Sequence, residues 1–327
     1  MRLAMAMTPA RAADVCDDAT RSLLEERFEV SWGSDSLDAA ELVRLTDGAE
    51  VLITSWGTPP IPPELFAGAA DLKIVAHAAG TVKRLVPVEL LADRLTVFSA
   101  ATRIAWSVGE YCLAACLTLH RRLPAYDART RAGGWKPDAF RGRELRGRTV
   151  GLIGGSSTAR AFRTLLAPFG VRVLLYDPYL DQQRARELDV TPADLPEVMT
   201  ADIVSVHVPD LPATRGMITA ELLARMPDGG VLINSARAGA IDPEALEREI
   251  RSGRLQVALD VYDPEPARLS PEVFAAPNVL LTPHIAGDSV EGHLALVRYV
   301  LDDVIAFLDH GSHGPSWVDP ARWSVLA

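Results

Sequence analysis

Lysine is almost missing from this 327-residue chain. It occurs only as Lys73, Lys83 and Lys136, so arginine supplies nearly all the positive charge. No basic run forms, and the formal net charge is −10. A surface of that sign repels nucleic acid and anionic membranes, so neither is expected as a partner. Long apolar runs are missing too, and no stretch approaches the ~20 apolar residues of a membrane span. The apolar run at residues 3–7 stops before Pro9. An export signal needs about 7–15 apolar residues, so this run reads as a first β-strand. Cysteine is scarce. Cys16, Cys112 and Cys116 form no CxxC pair and no metal-ligand spacing with histidine. Cys112 and Cys116 sit one helical turn apart in an apolar stretch and read as buried thiols. A sparse, odd cysteine count suits a reducing cytoplasm. No metal site is expected, because nothing completes a coordination set around His310 and His313 near Trp317.

What is present is an ordinary globular composition on a chain long enough for two domains. Short apolar runs at 2–7, 29–32, 51–54, 73–76 and 95–98 alternate with helical patterns such as 12–27 and 37–45. That is the rhythm of a parallel α/β sheet. A long helix is predicted over 104–123, ended by Pro124, followed by a Gly/Arg-rich connector over 131–147. The rhythm then restarts with strands at 149–153, 171–176, 203–208, 230–234, 256–261 and 279–282. Several are apolar on both faces, as in a sheet covered by helices on both sides. A last helix spans 290–308, and the tail 310–327 reads as irregular. The expected fold is α/β, with two doubly wound Rossmann-like or flavodoxin-like domains and the active-site cleft between them. The nucleotide domain is placed at 100–286. The substrate domain is discontinuous, at 1–99 plus 287–327.

Strand 149–153 runs into Gly154, Gly155, Ser156, Ser157, Thr158 and Ala159, and a helical pattern follows. A second strand ends at Asp177. This is the βαβ setting that a dinucleotide fingerprint requires. A glycine turn offers backbone N–H groups and a helix N-terminus to a pyrophosphate. The acid at Asp177 lies 23 residues after Gly154 and suits the adenine ribose hydroxyls. Its carboxylate would repel a 2′-phosphate, and no arginine directly follows, so NAD is favoured over NADP. The GxGxxG pattern reads here as Gly154, Ser156, Ala159. Serine in the second place is a departure, and its hydroxyl is a candidate donor to a phosphate oxygen.

Three later segments end strands of the second unit and carry Arg237, Glu265 and His284. In an open α/β sheet, ligands sit outside the carboxyl ends of the strands. The three residue types are complementary. Moving a hydride to or from an alcohol carbon requires a proton to move on its oxygen, which suits histidine near neutral pH. A carboxylate on the imidazole orients it and favours its protonated form. Arginine offers a planar fork to a substrate carboxylate.

Leu145-Arg146-Gly147-Arg148-Thr149-Val150-Gly151, Val204-Ser205-Val206-His207-Val208-Pro209, Thr214-Arg215-Gly216, Leu232-Ile233-Asn234-Ser235-Ala236-Arg237, Asp260-Val261 through Glu265-Pro266, and Thr282-Pro283-His284 together resemble the D-isomer-specific 2-hydroxyacid dehydrogenase family over nearly the whole chain. The resemblance implies an enzyme interconverting a 2-oxo acid and a D-2-hydroxy acid with NAD(H), with Arg237, Glu265 and His284 catalytic. It implies further cofactor contacts from His207, Val208, Pro209, Thr214, Ser235, Ala236, Asp260, His284 and Gly287, with Asp260 near the nicotinamide carboxamide. Substrate contacts are implied at Ala79, Gly80, Thr81, Lys83, Arg237 and His284. The region from Ile104, with Trp106 and Tyr111, corresponds to the part that builds a two-fold dimer, so a homodimer is expected.

The first-domain loop departs from the family's pattern. An acidic and a neutral position become Lys83 and Arg84, which suit either a substrate with a second negative charge or a solvated loop with an ion pair to a nearby acid. Two alternatives stay open on the residues. One is the same scaffold acting on an unusual acid, such as a phosphorus oxyacid or a specialised metabolite. The other is a non-catalytic NADH-binding regulator.

Overall fold

The computed structural model describes residues 1–62, 65–66, 71–136 and 141–325. It divides into one unit formed by Met1–Ile104 with Asp288–Ala327 and a second formed by Ala105–Gly287. The part of the 131–147 connector at 137–140, and tail residues 326–327, lie outside the described residues.

The first unit holds a five-stranded parallel sheet of β1 (Arg2–Ala6), β2 (Glu29–Trp32), β3 (Val51–Thr54), β4 (Ile74–His77) and β5 (Thr96–Ser99). The strand order is β2-β1-β3-β4-β5, the flavodoxin-like arrangement. Side chains alternate along each strand. Leu3 and Met5 therefore join Ile53, Ile74 and Phe98 on one face, where Val297, Val300, Leu301 and Val304 of helix Leu296–His310 cover them. Ala4 and Ala6 face the other way, with Leu52, Val75 and Val97. Burial on both faces is why these strands read as unbroken apolar runs rather than alternating ones.

The second unit holds seven parallel strands: β6 (Thr149–Ile153), β7 (Arg172–Tyr176), β8 (Thr191–Pro192), β9 (Ile203–Val206), β10 (Val231–Asn234), β11 (Gln256–Leu259) and β12 (Val279–Leu281). Their order is β12-β11-β10-β9-β6-β7-β8. The chain reverses its direction of growth at β6, which stands between β7 and β9. In doubly wound sheets that switch point is where a ligand crevice opens.

Several sequence expectations are corrected. The helix expected over 12–27 is two helices, Pro9–Val15 and Asp18–Arg27. Asp17 accepts the Thr20 N–H at 2.7 Å and caps the second, an N-cap that outcompetes continuation of the periodic pattern. The long helix runs over Ala101–His120, not to residue 123. Arg122 takes a left-handed backbone (φ 54°), and Pro124 opens a further helix, Leu123–Arg131. Proline in a first turn loses no hydrogen bond, so it starts that helix instead of ending the previous one. The helix expected over 290–308 is interrupted at Ala295 into Val290–Leu294 and Leu296–His310.

The tail is more ordered than its composition suggests. Ser99 N donates to Ser316 O at 2.7 Å and Val318 N to Val97 O at 2.8 Å, so the tail pairs with β5 at the sheet edge. An edge strand has backbone groups without partners, and covering them satisfies those groups. Gly314 permits the crossing, since a Cβ there would lie 1.9 Å from Asp303 Oδ1.

Candidate active site

In a parallel sheet all carboxyl ends emerge on one edge. Along that edge of the second unit the order of strands sets the order of chemistry. β12 leads into His284, β11 into Asp260 and Glu265, β10 into Arg237, β9 into His207, β6 into Gly154, and β7 into Asp177. The three residues expected to be catalytic thus follow three consecutive strands, and the nucleotide-loop residues follow the next three.

The glycine turn is built by close approach. Gly154 has φ +96°, and a Cβ on it would meet His207 O at 2.9 Å. Gly155 donates its N–H to Asp177 Oδ2 at 2.6 Å, and a Cβ there would press on the same oxygen at 2.9 Å. Asp177 Oδ1 accepts from Tyr179 N at 2.8 Å, so the acid is held at the tip of β7. Ser156 explains its own departure from the glycine pattern. Its backbone is extended (φ −65°, ψ 174°), which needs no glycine, and its Oγ caps helix Ser157–Leu166 by accepting from Ala159 N. The N–H groups of Ser156, Ser157 and Thr158 donate to no described residue. Unpaired N–H groups at a helix start are a ready anion site.

Thr158 Oγ1 lies 2.8 Å from Ser156 Oγ and 3.0 Å from His207 Nδ1. The His207 ring is buried, and its Nε2 has no partner among the described residues. Val208 is buried beside it, and Thr214 donates its hydroxyl to Pro209 O at 2.6 Å, stapling the loop that follows.

Arg237 follows a loop organised by Asn234. The Asn234 side chain donates to Arg237 O at 3.0 Å and accepts from Ala236 N at 3.1 Å. Ser235 Oγ contacts Cys112 Sγ at 3.3 Å. Arg237 is half-buried and donates to Ala236 O at 2.6 Å.

His284 Nδ1 lies 2.9 and 3.0 Å from the two oxygens of Glu265. Burial alone would raise the Glu265 pKa. The hydrogen bonds from His284 and Tyr262 N, with the charges of His284 and Arg237, outweigh it and hold the acid below its ordinary value. An ionised carboxylate only accepts, so Nδ1 carries the hydrogen, and Nε2 has no partner among the described residues. His284 sits at φ +59°. For a residue other than glycine that conformation costs about 1–2 kcal/mol, so something must hold it. Asp260 does. Its carboxylate is fully buried and accepts from Thr282 Oγ1 (2.7 Å), Ile285 N (2.8 Å) and Ala286 N (2.8 Å). Among the described residues there is no cluster of three or more histidine, cysteine or acidic side chains able to hold a metal.

The loop after β4 in the first unit also has directed backbone groups. Ser55 Oγ donates to Ala78 O at 2.9 Å and Ser99 Oγ to Gly80 O at 2.6 Å. With these carbonyls tied back, the amides of Ala79, Gly80 and Thr81 donate to no described residue. Lys83 is half-buried, and burial pushes its pKa down. Arg84 is exposed.

The D-isomer specific 2-hydroxyacid dehydrogenase NAD binding domain matches residues 113–286, more than half of the chain and nearly all of the second unit. The chain belongs to the D-isomer specific 2-hydroxyacid dehydrogenase family. It is 34% identical over 289 residues to D-3-phosphoglycerate dehydrogenase of Mycobacterium tuberculosis, covering 88% of this chain and 54% of that protein. The chain thus spans about half the length of the phosphoglycerate dehydrogenases that it matches. It is 29% identical over 291 residues to hydroxypyruvate reductase of Thermotoga maritima, covering 88% and 94%. Its fold matches the crystal structure of a phosphoglycerate oxidoreductase from Rhizobium etli with a TM-score of 0.83 at 25% identity, over 98% and 99% of the two chains. Family membership and the cradle at Gly154, Gly155 and Asp177 agree. The tight turn at Gly154 and Gly155 and the N–H groups of residues 156–158, which donate to no described residue, fit the phosphates of a dinucleotide.

Two buried histidines make stability depend on pH. Burial pushes His207 down to about 3 and His77 down to about 4, from 6.5. His77 Nδ1 pairs with Thr54 Oγ1 at 2.9 Å. Above pH 6.5 both are neutral in the folded and unfolded chain. As pH falls below 6.5, the unfolded chain binds protons that the folded chain refuses, so stability drops until the folded-state values are reached. At ~1.4 kcal/mol per unit the combined loss is on the order of several kcal/mol. Urea midpoints are expected to be level from pH 8 to 7 and to fall steadily towards pH 4. A midpoint that holds level to pH 4 would contradict this.

Proposed function

We propose that this chain interconverts a 2-oxo acid and its D-2-hydroxy acid with NAD(H), and that NADH is preferred to NADPH. The observation that carries the reading is the His284–Glu265 pair at 2.9 Å, on the same sheet edge as the glycine loop. The unpaired amides of residues 156–158 and the Asp177 carboxylate suit the cofactor, as do the strand ends at His207, Val208, Ser235 and Ala236. When bound, the nicotinamide supplies or accepts the hydride. Arg237 holds the substrate carboxylate with its planar guanidinium. In the first unit, the amides of Ala79, Gly80 and Thr81, which donate to no described residue, suit a carboxylate group. His284 gives its Nε2 proton to the substrate oxygen in reduction and takes it back in oxidation. Glu265 supports the imidazolium through Nδ1 and keeps the ring aimed.

The direct test is NADH oxidation against 2-oxo acids, from glyoxylate and hydroxypyruvate to branched and dicarboxylic acids, with NADPH in parallel. Turnover with NADH is the expected result. A preference for dicarboxylic acids that disappears when Lys83 and Arg84 are both neutralised would assign those cations to a second substrate charge. Binding of NADH with silence across the panel would sink the 2-oxo acid reading and favour an unusual acid or a non-catalytic NADH-binding regulator.

The same reading includes a homodimer. Helix Leu123–Arg131 has no buried residue, and Leu123 and Trp135 are 51% and 76% exposed. These exposed apolar side chains, with Trp106 at 43% on helix Ala101–His120, are candidate contacts for a second copy. Light scattering should give twice the chain mass of 35.3 kDa; a monomer mass at micromolar concentration would rule the dimer out. Three free buried thiols are compatible with a reducing cytoplasm. Among the described residues, no helix is long and apolar enough to cross a membrane.

A further inference from the structure

The left-handed turn at His284 is held from a helix far away in sequence. Thr282 Oγ1 lies 2.7 Å from Asp260 Oδ1 and 2.7 Å from the Tyr111 hydroxyl. A carboxylate only accepts, so the single Thr282 hydrogen goes to Asp260, and Tyr111 must donate to Thr282. Burial pushes the Tyr111 phenol above its ordinary pKa, so it keeps the proton it donates. The chain of donation therefore runs from helix Ala101–His120 through Thr282 into the buried carboxylate that also accepts Ile285 N and Ala286 N. Residues on both sides of His284 are thereby tied to one group. A second phenol works on the same turn. Tyr262 Oη is shared between Leu259 O and Thr282 O, both at 2.9 Å, while Tyr262 N donates to Glu265 Oε1 at 3.2 Å.

We propose that Tyr111 is a positioning residue for His284, acting through Thr282 and Asp260 to fix the turn that aims the imidazole. The proposal rests on the acid/base reading of His284. The chain of donation ends on Asp260, which is implied to lie near the nicotinamide carboxamide, so the effect of Tyr111 belongs chiefly on proton transfer, with only a small one on cofactor affinity.

The test is Tyr111→Phe, which keeps the ring and removes only the donor. With hydroxypyruvate or glyoxylate, kcat should fall about 3- to 10-fold, the size expected for one hydrogen bond. KM for the acid and Kd for NADH should stay within about twofold. Tyr111→Phe combined with Thr282→Val should be no slower than Thr282→Val alone, since both changes cut one chain. Amide exchange at Ile285 and Ala286 should quicken in Tyr111→Phe. Unchanged exchange at those two amides would overturn the proposal, whatever the activity. So would loss of NADH binding in step with kcat, which would leave Tyr111 a purely structural role. His284→Ala is measured alongside. Full turnover in that variant would defeat the acid/base reading, and the exchange rates would still judge the clamp.

Discussion

His284→Ala is expected to lower kcat by about 10²- to 10⁴-fold, the range for losing a positioned general acid or base. NADH affinity should change little, because the pyrophosphate and ribose groups of the site lie beyond β9, around Gly154 and Asp177. The contrast between the two readouts is the informative part. Glu265→Gln should cost less than His284→Ala. It keeps an oxygen near Nδ1 but removes the charge that supports the imidazolium, and Glu265 is held below its ordinary pKa largely by that pairing. Steady-state kinetics with NADH fluorescence titration measure both effects. Turnover within a few-fold of wild type in His284→Ala would remove the histidine from the reaction.

Asp177→Asn is expected to move the ratio of NADH to NADPH efficiency by at least tenfold towards NADPH. The carboxylate accepts from Gly155 N at 2.6 Å through one oxygen and from Tyr179 N at 2.8 Å through the other; asparagine has a single acceptor oxygen, so it keeps one of these contacts while losing the charge. Two effects add. Hydrogen bonds from ribose hydroxyls to a charged acceptor are worth about 1.5–3 kcal/mol and weaken when the acceptor is neutral. The repulsion that bars a 2′-phosphate disappears as well. A cation is already close, since Arg184 Nη2 donates to Gly155 O at 3.1 Å. This arginine does not directly follow Asp177 but lies seven residues later, on helix Gln182–Glu187. An unchanged ratio in Asp177→Asn would show that selection lies elsewhere.

Much of the site was legible because its chemistry is local. Gly154, Gly155 and Asp177 lie within one βαβ unit, and Arg237, Glu265 and His284 each stand just past an apolar run. Other features were not legible. The cap at Asp17 was hidden inside a pattern that reads as one continuous helix. Pro124 carries the same letter whether it ends a helix or begins one. Ser156 looked like a flaw in a glycine motif until its extended backbone and capping bond to Ala159 were known. Asn234, Tyr262, Thr282 and Tyr111 are held to the site by hydrogen bonds, and such bonds leave no periodic trace.

The sequence by itself determined two parallel α/β units, because strands buried on both faces must be apolar at every position. It determined the residue types at the strand ends, because phosphate, carboxylate and proton transfer each demand particular groups. Only the tertiary structure decided which ends are neighbours. Placing β6 between β7 and β9 sets His207 against Gly154 and Asp177 against Gly155, and Tyr111 reaches Thr282 across 171 residues. Strand order and long-range donor chains come from the packing of whole layers, and local sequence carries little of that information.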